Sequence, residues 1–387
     1  MTKKTKKIKK SSLAICICFF GMLLLFLVLT VVMPKKTTSE MENKPLQEMP
    51  KFSVKELFNG KYTSKLETYV SDHFSGRVSW IGLKTGFEHL LGKREQNGVY
   101  ILNDRLIEKV DEPDYELVDK NIEALNKFAA DNSEIPVCFM LVPTSAEFYK
   151  DELPYYYPNL DQREFIDYVY KGLEGNGMSL IDVYQEMSAN SEDYIYYRTD
   201  HHWTTKGAFL AYIAAGKKMG YVPLEYSRYD IEHASGSFKG TFYSKALYNG
   251  IEDDVIDYYH AADNIKPVTV EVTTEYGSPP EVYDSMYFRE YLDVKDKYSS
   301  FLGSNVPLET IKCDNDGGKL LVIKDSYAHC FVPFLTEHYS EITMLDMRYI
   351  QMSYKSVIDV SEYDQVLFLY NASSFSKDKD VRKLIYG

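Results

Sequence analysis

Hydrophobic and polar positions divide this chain into three regimes. Leu13 to Met33 is an apolar run without a charge. Pro34 to Pro50 is polar and interrupted by proline. From there on, short apolar runs alternate with amphipathic stretches. As a helix at ~1.5 Å per residue, the first run spans ~31 Å, the thickness of a hydrocarbon core. Phe52 to Leu91 has helical spacing, marked by Leu66, Tyr69, Val70, Phe74, Trp80, Ile81 and Leu83. Asn97-Gly98 reads as a turn leading into a strand through Leu102. Val118 to Ala130 reads as an amphipathic helix with Ile122, Leu125, Phe128 and Ala129 on one face. Pro136 to Pro143 is continuously apolar, the pattern of a strand buried on both faces. Phe165–Leu173 and the Ala-rich Lys206–Met219 read as helices, with a short strand over Ser179–Tyr184 between them. Between 226 and 308 the helical period fades, Tyr and Gly rise, and β-like pieces such as Lys266–Val272 appear, which predicts an inserted β-rich region. After Gly317-Gly318 three more buried strands are expected, at 319–323, 341–345 and 365–370. Alternating strands and helices predict an α/β fold with a parallel sheet.

Charge sharpens the first boundary. The chain of 387 residues has 44 Lys+Arg against 57 Asp+Glu, a net of −13. Residues 1–36 hold eight of the Lys and no acid, leaving 36 bases against 57 acids, a net of −21, for the rest. Lysines ahead of an apolar span place the N-terminus in the cytoplasm and the body outside. A cleaved signal peptide is the alternative, but the run is longer than the usual h-region and no A-x-A-like site follows Val32. The acidic balance argues against a nucleic-acid partner. Cys16 and Cys18 lie in the span, and Cys138, Cys313 and Cys330 are too few and too odd in number for a disulfide scaffold. With no C-x-x-C pair, a structural zinc site is not expected. No phosphate-cradling glycine loop or dinucleotide fingerprint is present, so no organic cofactor is expected.

Two segments carry reactive side chains just after a strand-like region and before a helix, where open α/β sheets hold their ligands. They are Tyr196–Gly207, containing Asp200-His201-His202-Trp203, and Val322–Ala328, containing Lys324-Asp325-Ser326-Tyr327. A serine hydroxyl attacks only when a base takes its proton. Asp200 and His202 supply a carboxylate and an imidazole for that role, with Ser326 as nucleophile. Ser326 is equally placed to cap the following helix. A metal held by Asp200, His201 and His202 lacks a further ligand at suitable spacing, so none is expected.

Asp200-His201-His202-Trp203 is the signature of the DHHW protein family, and the wider pattern resembles the alginate O-acetyltransferase proteins of the AlgX/AlgJ type. The resemblance runs from about Tyr69 to Tyr370 and includes Asp72-His73-Phe74 with Arg77, and Val142-Pro143-Thr144. It implies an SGNH-hydrolase-like three-layer fold with a parallel sheet, circularly permuted, because Ser326, the Leu345–Arg348 segment and Asn371 follow the His pair instead of preceding it. Its implied catalytic residues are Ser326, His202 and Asp200, with Asn371 and the backbone of Tyr327 as oxyanion donors. Arg198, Trp203, Arg348 and His201 are the candidate substrate contacts, with Trp203 also read as packing to fix the loop and Arg348 as pairing with Asp346. Lys324 stands where the family pattern has glycine. Domain bounds follow: 1–11 basic tail, 12–33 transmembrane signal anchor, 34–60 stalk, 61–225 and 309–387 the two parts of the SGNH-like domain, and 226–308 the insertion.

The function implied is a membrane-anchored extracytoplasmic serine esterase or O-acetyltransferase acting on a cell-envelope or exported polysaccharide. A transferase would need a multi-span membrane partner to deliver its acyl donor. A glycan-binding module without catalysis is the competing reading, and it would leave Ser326 and His202 unconnected. A surface at −21 would repel a polyanionic glycan unless cations such as Arg198 and Lys206 offset it locally.

Overall fold

The computed structural model describes residues 10–155, 157–262 and 267–386. Two units emerge, one from residues 1–93 with 246–249 and one from 94–245 with 250–387.

In the first unit the apolar run is the helix Lys10–Val32, with a stretch from Ser11 long and apolar enough to cross a membrane. The tail over 1–9 lies outside the described residues. The helical spacing after Phe52 resolves into Val54–Phe58, Lys61–Asp72 and Arg77–Leu90, separated where Gly60 and Gly76 take left-handed φ of 79° and 72°. The start of the α/β domain therefore falls after these helices, not at residue 61. The expected stalk is also folded. Thr38–Ser39 pairs with Lys44–Pro45 as a short hairpin. Asp72 holds it through Lys44 Nζ at 3.0 Å and Gln47 N–H at 2.9 Å, while Arg77 reaches Glu42 at 3.1 Å. Polar composition suggested a free linker; its charges instead find partners on the helices. Asp72, His73 and Arg77 thus serve structure, His73 contacting the Gln47 carbonyl at 3.1 Å.

The second unit is built on an eight-stranded sheet. Its strands are β1 (Val137–Val142), β2 (Met178–Ile181), β3 (Val268–Thr273), β4 (Glu281–Tyr283), β5 (Leu308–Cys313), β6 (Gly318–Lys324), β7 (Tyr339–Leu345) and β8 (Gln365–Asn371). Their order is β4-β3-β5-β7-β6-β8-β1-β2. The five strands from β7 to β2 are parallel, and β5, β3 and β4 extend the sheet antiparallel. All of β1 is buried, as are most of β6 and β8, which is why these strands read as unbroken apolar runs. Helices Tyr115–Asp131 and Gln162–Leu173 pack together, as do Thr205–Met219 and Ala328–Leu335. Side chains of Asp114, Asp161 and Thr204 cap three of these helices by accepting first-turn N–H groups.

Residues 226–308 are β-rich, but they do not stand apart. Tyr229–Phe238 and Asp254–Ala261 form a hairpin, and the expected 266–272 strand is β3, which widens the main sheet. Lys266 lies outside the described residues. Asn97-Gly98 makes the two-residue turn between Gln96 and Val99, both residues at positive φ.

From β6 the chain passes to β7 on one side and to β8 on the other. The crevice at the carboxyl ends of β6 and β8 is therefore the switch point of the parallel sheet.

Candidate active site

Ser326 stands at that switch point. Asp325 fixes the turn that carries it. One Asp325 carboxylate oxygen accepts Tyr327 N–H at 2.9 Å, and the other accepts Asn371 N–H at 2.8 Å, tying the turn after β6 to the end of β8. Asp325 is buried, and burial pushes its carboxyl above the ordinary value against these hydrogen bonds. The helix begins at Ala328 with Tyr327 as its cap residue, so the Ser326 hydroxyl is not spent on capping.

That hydroxyl lies 2.7 Å from His202 Nε2, and His202 Nδ1 lies 2.6 Å from Asp200 Oδ1. A carboxylate only accepts, so Nδ1 carries the proton and Nε2 is left to accept from Ser326. Asp200 is itself anchored. Its Oδ1 also accepts His202 N–H at 3.0 Å and its Oδ2 accepts Thr241 N–H at 2.7 Å. Burial would raise the Asp200 carboxyl, but the His201 and His202 rings hold it well below the ordinary range. His202 moves down to about 4, through burial first and the His201 charge second, against the pull of Asp200. It is thus a neutral base at pH 7.

The support comes largely from the region without helical period. Asp254, fully buried, accepts Arg198 N–H at 2.7 Å, Thr199 N–H at 2.8 Å and the Tyr194 hydroxyl at 2.5 Å, which braces the loop ahead of Asp200. Gly240 is needed beside it. A Cβ there would meet Asp200 Cβ at 2.2 Å, so any side chain would displace the carboxylate. Tyr298 stacks flat on His202, centroids 3.6 Å apart, and donates its hydroxyl to the Ser326 carbonyl at 3.0 Å. None of these three lies near the motif in sequence, and no local pattern marks them.

Residues 98–345 match the DHHW protein family. The chain belongs to the DHHW family. A DHHW family protein from Eubacterium siraeum shares 26% identity and a TM-score of 0.63, over 76% of this chain and 96% of that one. Bacillus cereus PatB1 is 22% identical, with a TM-score of 0.61 over 72% of this chain and 97% of its own. The O-acetyltransferase domain of Pseudomonas putida AlgJ is 13% identical, with a TM-score of 0.45 over 74% and 98%. None of the curated proteins matches the chain in sequence.

The DHHW signature divides its labour. His202 faces Ser326, with Asp200 behind it on the Nδ1 side. The His201 ring is tilted 39° to that of His202 with centroids 3.8 Å apart, its Nδ1 lies 3.3 Å from Asp200 Oδ1, and Tyr327 donates its hydroxyl to the His201 carbonyl at 2.6 Å. Trp203 is fully buried and donates its indole N–H to the Tyr327 carbonyl at 3.1 Å. It therefore joins the two loops of this DHHW protein, as a residue that packs to fix the loop, and is not placed to touch substrate.

Two further expectations change. Both hydrogens of the Asn371 amide are engaged, by Asp325 Oδ2 and by Ser374 Oγ, each at 2.7 Å, and the Tyr327 N–H is engaged by Asp325. Neither is free to hold an oxyanion in this arrangement. The Ser326 N–H has no acceptor among the described residues and is the donor that remains. Arg348 grips Asp346 at 2.8 and 2.5 Å and is committed within the protein, while Arg198 lies over the Tyr194 ring at 4.5 Å. Lys206 pairs with Asp193 at 2.7 Å, which removes the local basic cluster considered from sequence. Lys324, in the glycine position of the family pattern, is buried and hydrogen-bonds Asn305 at 3.1 Å and His329 at 2.5 Å.

Asp200, His201 and His202 place ligand atoms within 4.8 Å of one another, a possible metal cluster. Two ligands on one tetrahedral zinc, each ~2.0–2.1 Å from the ion, stand ~3.3 Å apart. The 2.6 Å between His202 Nδ1 and Asp200 Oδ1 is that of a hydrogen bond and leaves no room for an ion between them.

Proposed function

We propose that this DHHW protein is a membrane-anchored, extracytoplasmic serine acyl-transfer enzyme, an O-acetyltransferase or acetylesterase acting on a cell-envelope or exported polysaccharide. The observation that carries this reading is the continuous chain Ser326–His202–Asp200, with contacts of 2.7 and 2.6 Å. Ser326 Oγ attacks the acyl carbonyl while its proton passes to His202 Nε2. The Ser326 N–H stabilises the tetrahedral oxyanion, and Asp200 stabilises the imidazolium. His202 returns the proton to the departing alkoxide, leaving an acyl-serine. A sugar hydroxyl or water then attacks the acyl carbonyl, losing its proton to His202, which passes it to Ser326 Oγ as the acyl–oxygen bond breaks. A binding module without catalysis would not require the three side chains to be connected, and their contacts favour chemistry.

Strand order supports the SGNH-like, circularly permuted reading. Taken from β6 as first strand, the parallel part runs 2-1-3-4-5. The serine then follows the first strand, Asn371 closes the third, and the Asp–His pair follows the fifth. The apolar helix and its preceding lysines support an anchor with the second unit outside, close to any multi-span partner that delivers acyl groups. With Lys206 paired to Asp193, a body at −21 suits a neutral glycan better than a polyanion.

The test is to incubate the full-length protein with an acetyl ester, quench, and map the adduct by peptide mass spectrometry. Acetylation of Ser326, absent in Ser326→Ala and His202→Ala, is expected. A wild-type protein with no adduct and no ester turnover would remove the enzymatic reading.

A further inference from the structure

We propose that the Arg77–Leu90 helix is a second membrane-contacting element, lying in the lipid interface beside the apolar helix with its Trp80–Leu83–Phe87–Leu90 face sunk into acyl chains. This rests on the anchor reading above. Four observations carry it.

The first is the face itself. Trp80, Leu83, Phe87 and Leu90 follow one another at helical spacing, and Leu91 joins them, forming a stripe about 100° wide. Leu83, Phe87, Leu90 and Leu91 are 64%, 61%, 82% and 73% exposed, which is unusual for side chains of this size in one row.

The second is what lies behind it. Gly82 and Thr85 on the opposite side of the helix are buried, and a Cβ on Gly82 would meet the Leu247 carbonyl at 3.2 Å and the Asn249 amide at 2.9 Å. The His89 ring lies 4.8 Å from that of Tyr248. The helix already has its protein partner in the 246–249 segment, and the apolar stripe faces away from it.

The third observation fixes the depth. Phe26 of the apolar helix stacks on Phe74 at 5.5 Å and meets the edge of Trp80 at 5.6 Å. Thr30 accepts the Ser75 N–H at 3.2 Å. Phe26 lies six residues before the helix end at Val32, or ~9 Å along its axis. When the anchor spans a bilayer, the start of the Arg77–Leu90 helix is held about 9 Å inside the end of the span, just below the boundary between headgroups and chains. Interfacial helices settle ~5–10 Å into that boundary, and tryptophan concentrates there.

The fourth is the groove between this helix and Lys61–Asp72. It has a volume of about 730 Å³ and is walled by Leu66, Val70, Phe74, Trp80 and Ile81, with Arg77 at its polar side. A lipid acyl chain matches its apolar lining, while the guanidinium is held at the rim by Glu42 and Ser71. Continuity with the anchor selects lipid as the occupant over a soluble partner.

The chain contains two tryptophans, and the other, Trp203, is fully buried in the second unit. Tryptophan quenching therefore reports on Trp80. The experiment reconstitutes the full chain in phosphatidylcholine–phosphatidylglycerol vesicles containing lipids brominated near the headgroup end of the acyl chain. Quenching about two- to threefold stronger in the wild type than in Trp80→Phe is expected for an interfacial tryptophan. Equal quenching in the two, in a chain that resists alkaline carbonate extraction, would overturn this inference and leave the anchor standing. Release by carbonate would overturn the anchor reading and this inference with it. A photo-crosslinker replacing Leu83 in native membranes is expected to capture lipid; capture of a second copy or another protein would overturn lipid as the occupant.

Discussion

Asp200→Asn isolates the carboxylate's contribution, because it changes charge and almost no volume. Asp200 Oδ1 receives both the Nδ1–H and the backbone N–H of His202, and Oδ2 receives Thr241 N–H. The amide must turn its NH₂ toward one side. Toward Thr241 it sets two donors face to face and strands a backbone N–H, a cost of about 1–3 kcal/mol. Toward His202 it strands that residue's N–H and drives the imidazole into the tautomer with the proton on Nε2, which cannot accept from Ser326. In either orientation the imidazolium of the transition state loses its counter-charge. With ~4 Å between charge centres and an effective dielectric of about 20, that interaction is about 4 kcal/mol. At 1.36 kcal/mol per decade this corresponds to about a thousandfold loss in kcat. The assay is release of a chromogenic alcohol from a small acetyl ester, with Ser326→Ala subtracted as background and thermal unfolding monitored in parallel. Activity within threefold of wild type in a folded Asp200→Asn protein would refute the role given to the carboxylate.

His202 titrates at about 4, so activity should be retained as pH falls through 6.5 and lost only as it falls through about 4. Because the His201 charge is the second cause of that lowering, His201→Gln should move the acid limb of kcat/KM upward; an unmoved limb would show that His201 is not coupled to the base. Gly240→Ala forces a Cβ to within 2.2 Å of Asp200 Cβ and should cost about 1–3 kcal/mol in denaturant unfolding while lowering turnover. Unchanged stability and activity would show the approach of the two segments to be adjustable. Asp254→Ala strands the N–H groups of Arg198 and Thr199 and should cost about 2–6 kcal/mol, read as a reduced unfolding midpoint.

The sheet was legible because its parallel strands are buried on both faces, and that condition writes itself as continuous runs such as Val137–Val142 and Leu320–Lys324. Asp200, His202 and Ser326 were legible because each follows a strand-like region and because the DHHW signature is local. Asp254 and Tyr298 were not, since their roles depend on contacts across 28 to 60 residues of chain and a lone Asp or Tyr carries no periodicity. Asn371 misled for a related reason. Its place at a strand end was correct, but its amide is claimed by Asp325, a neighbour that only the fold reveals. The folded stalk eluded composition likewise, because a polar segment looks the same whether its charges meet water or Asp72 and Arg77.

The place of β8 has a consequence for timing. It is the last strand in chain order, yet it lies between β6 and β1, joined to each by parallel pairing. The sheet strands ahead of Ser326 and those ahead of His202 therefore share no backbone ladder until residues 365–371 have emerged and inserted. Such a long-range closing step is slow compared with helix formation. During synthesis the sheet thus stays open at its centre until its final strand arrives.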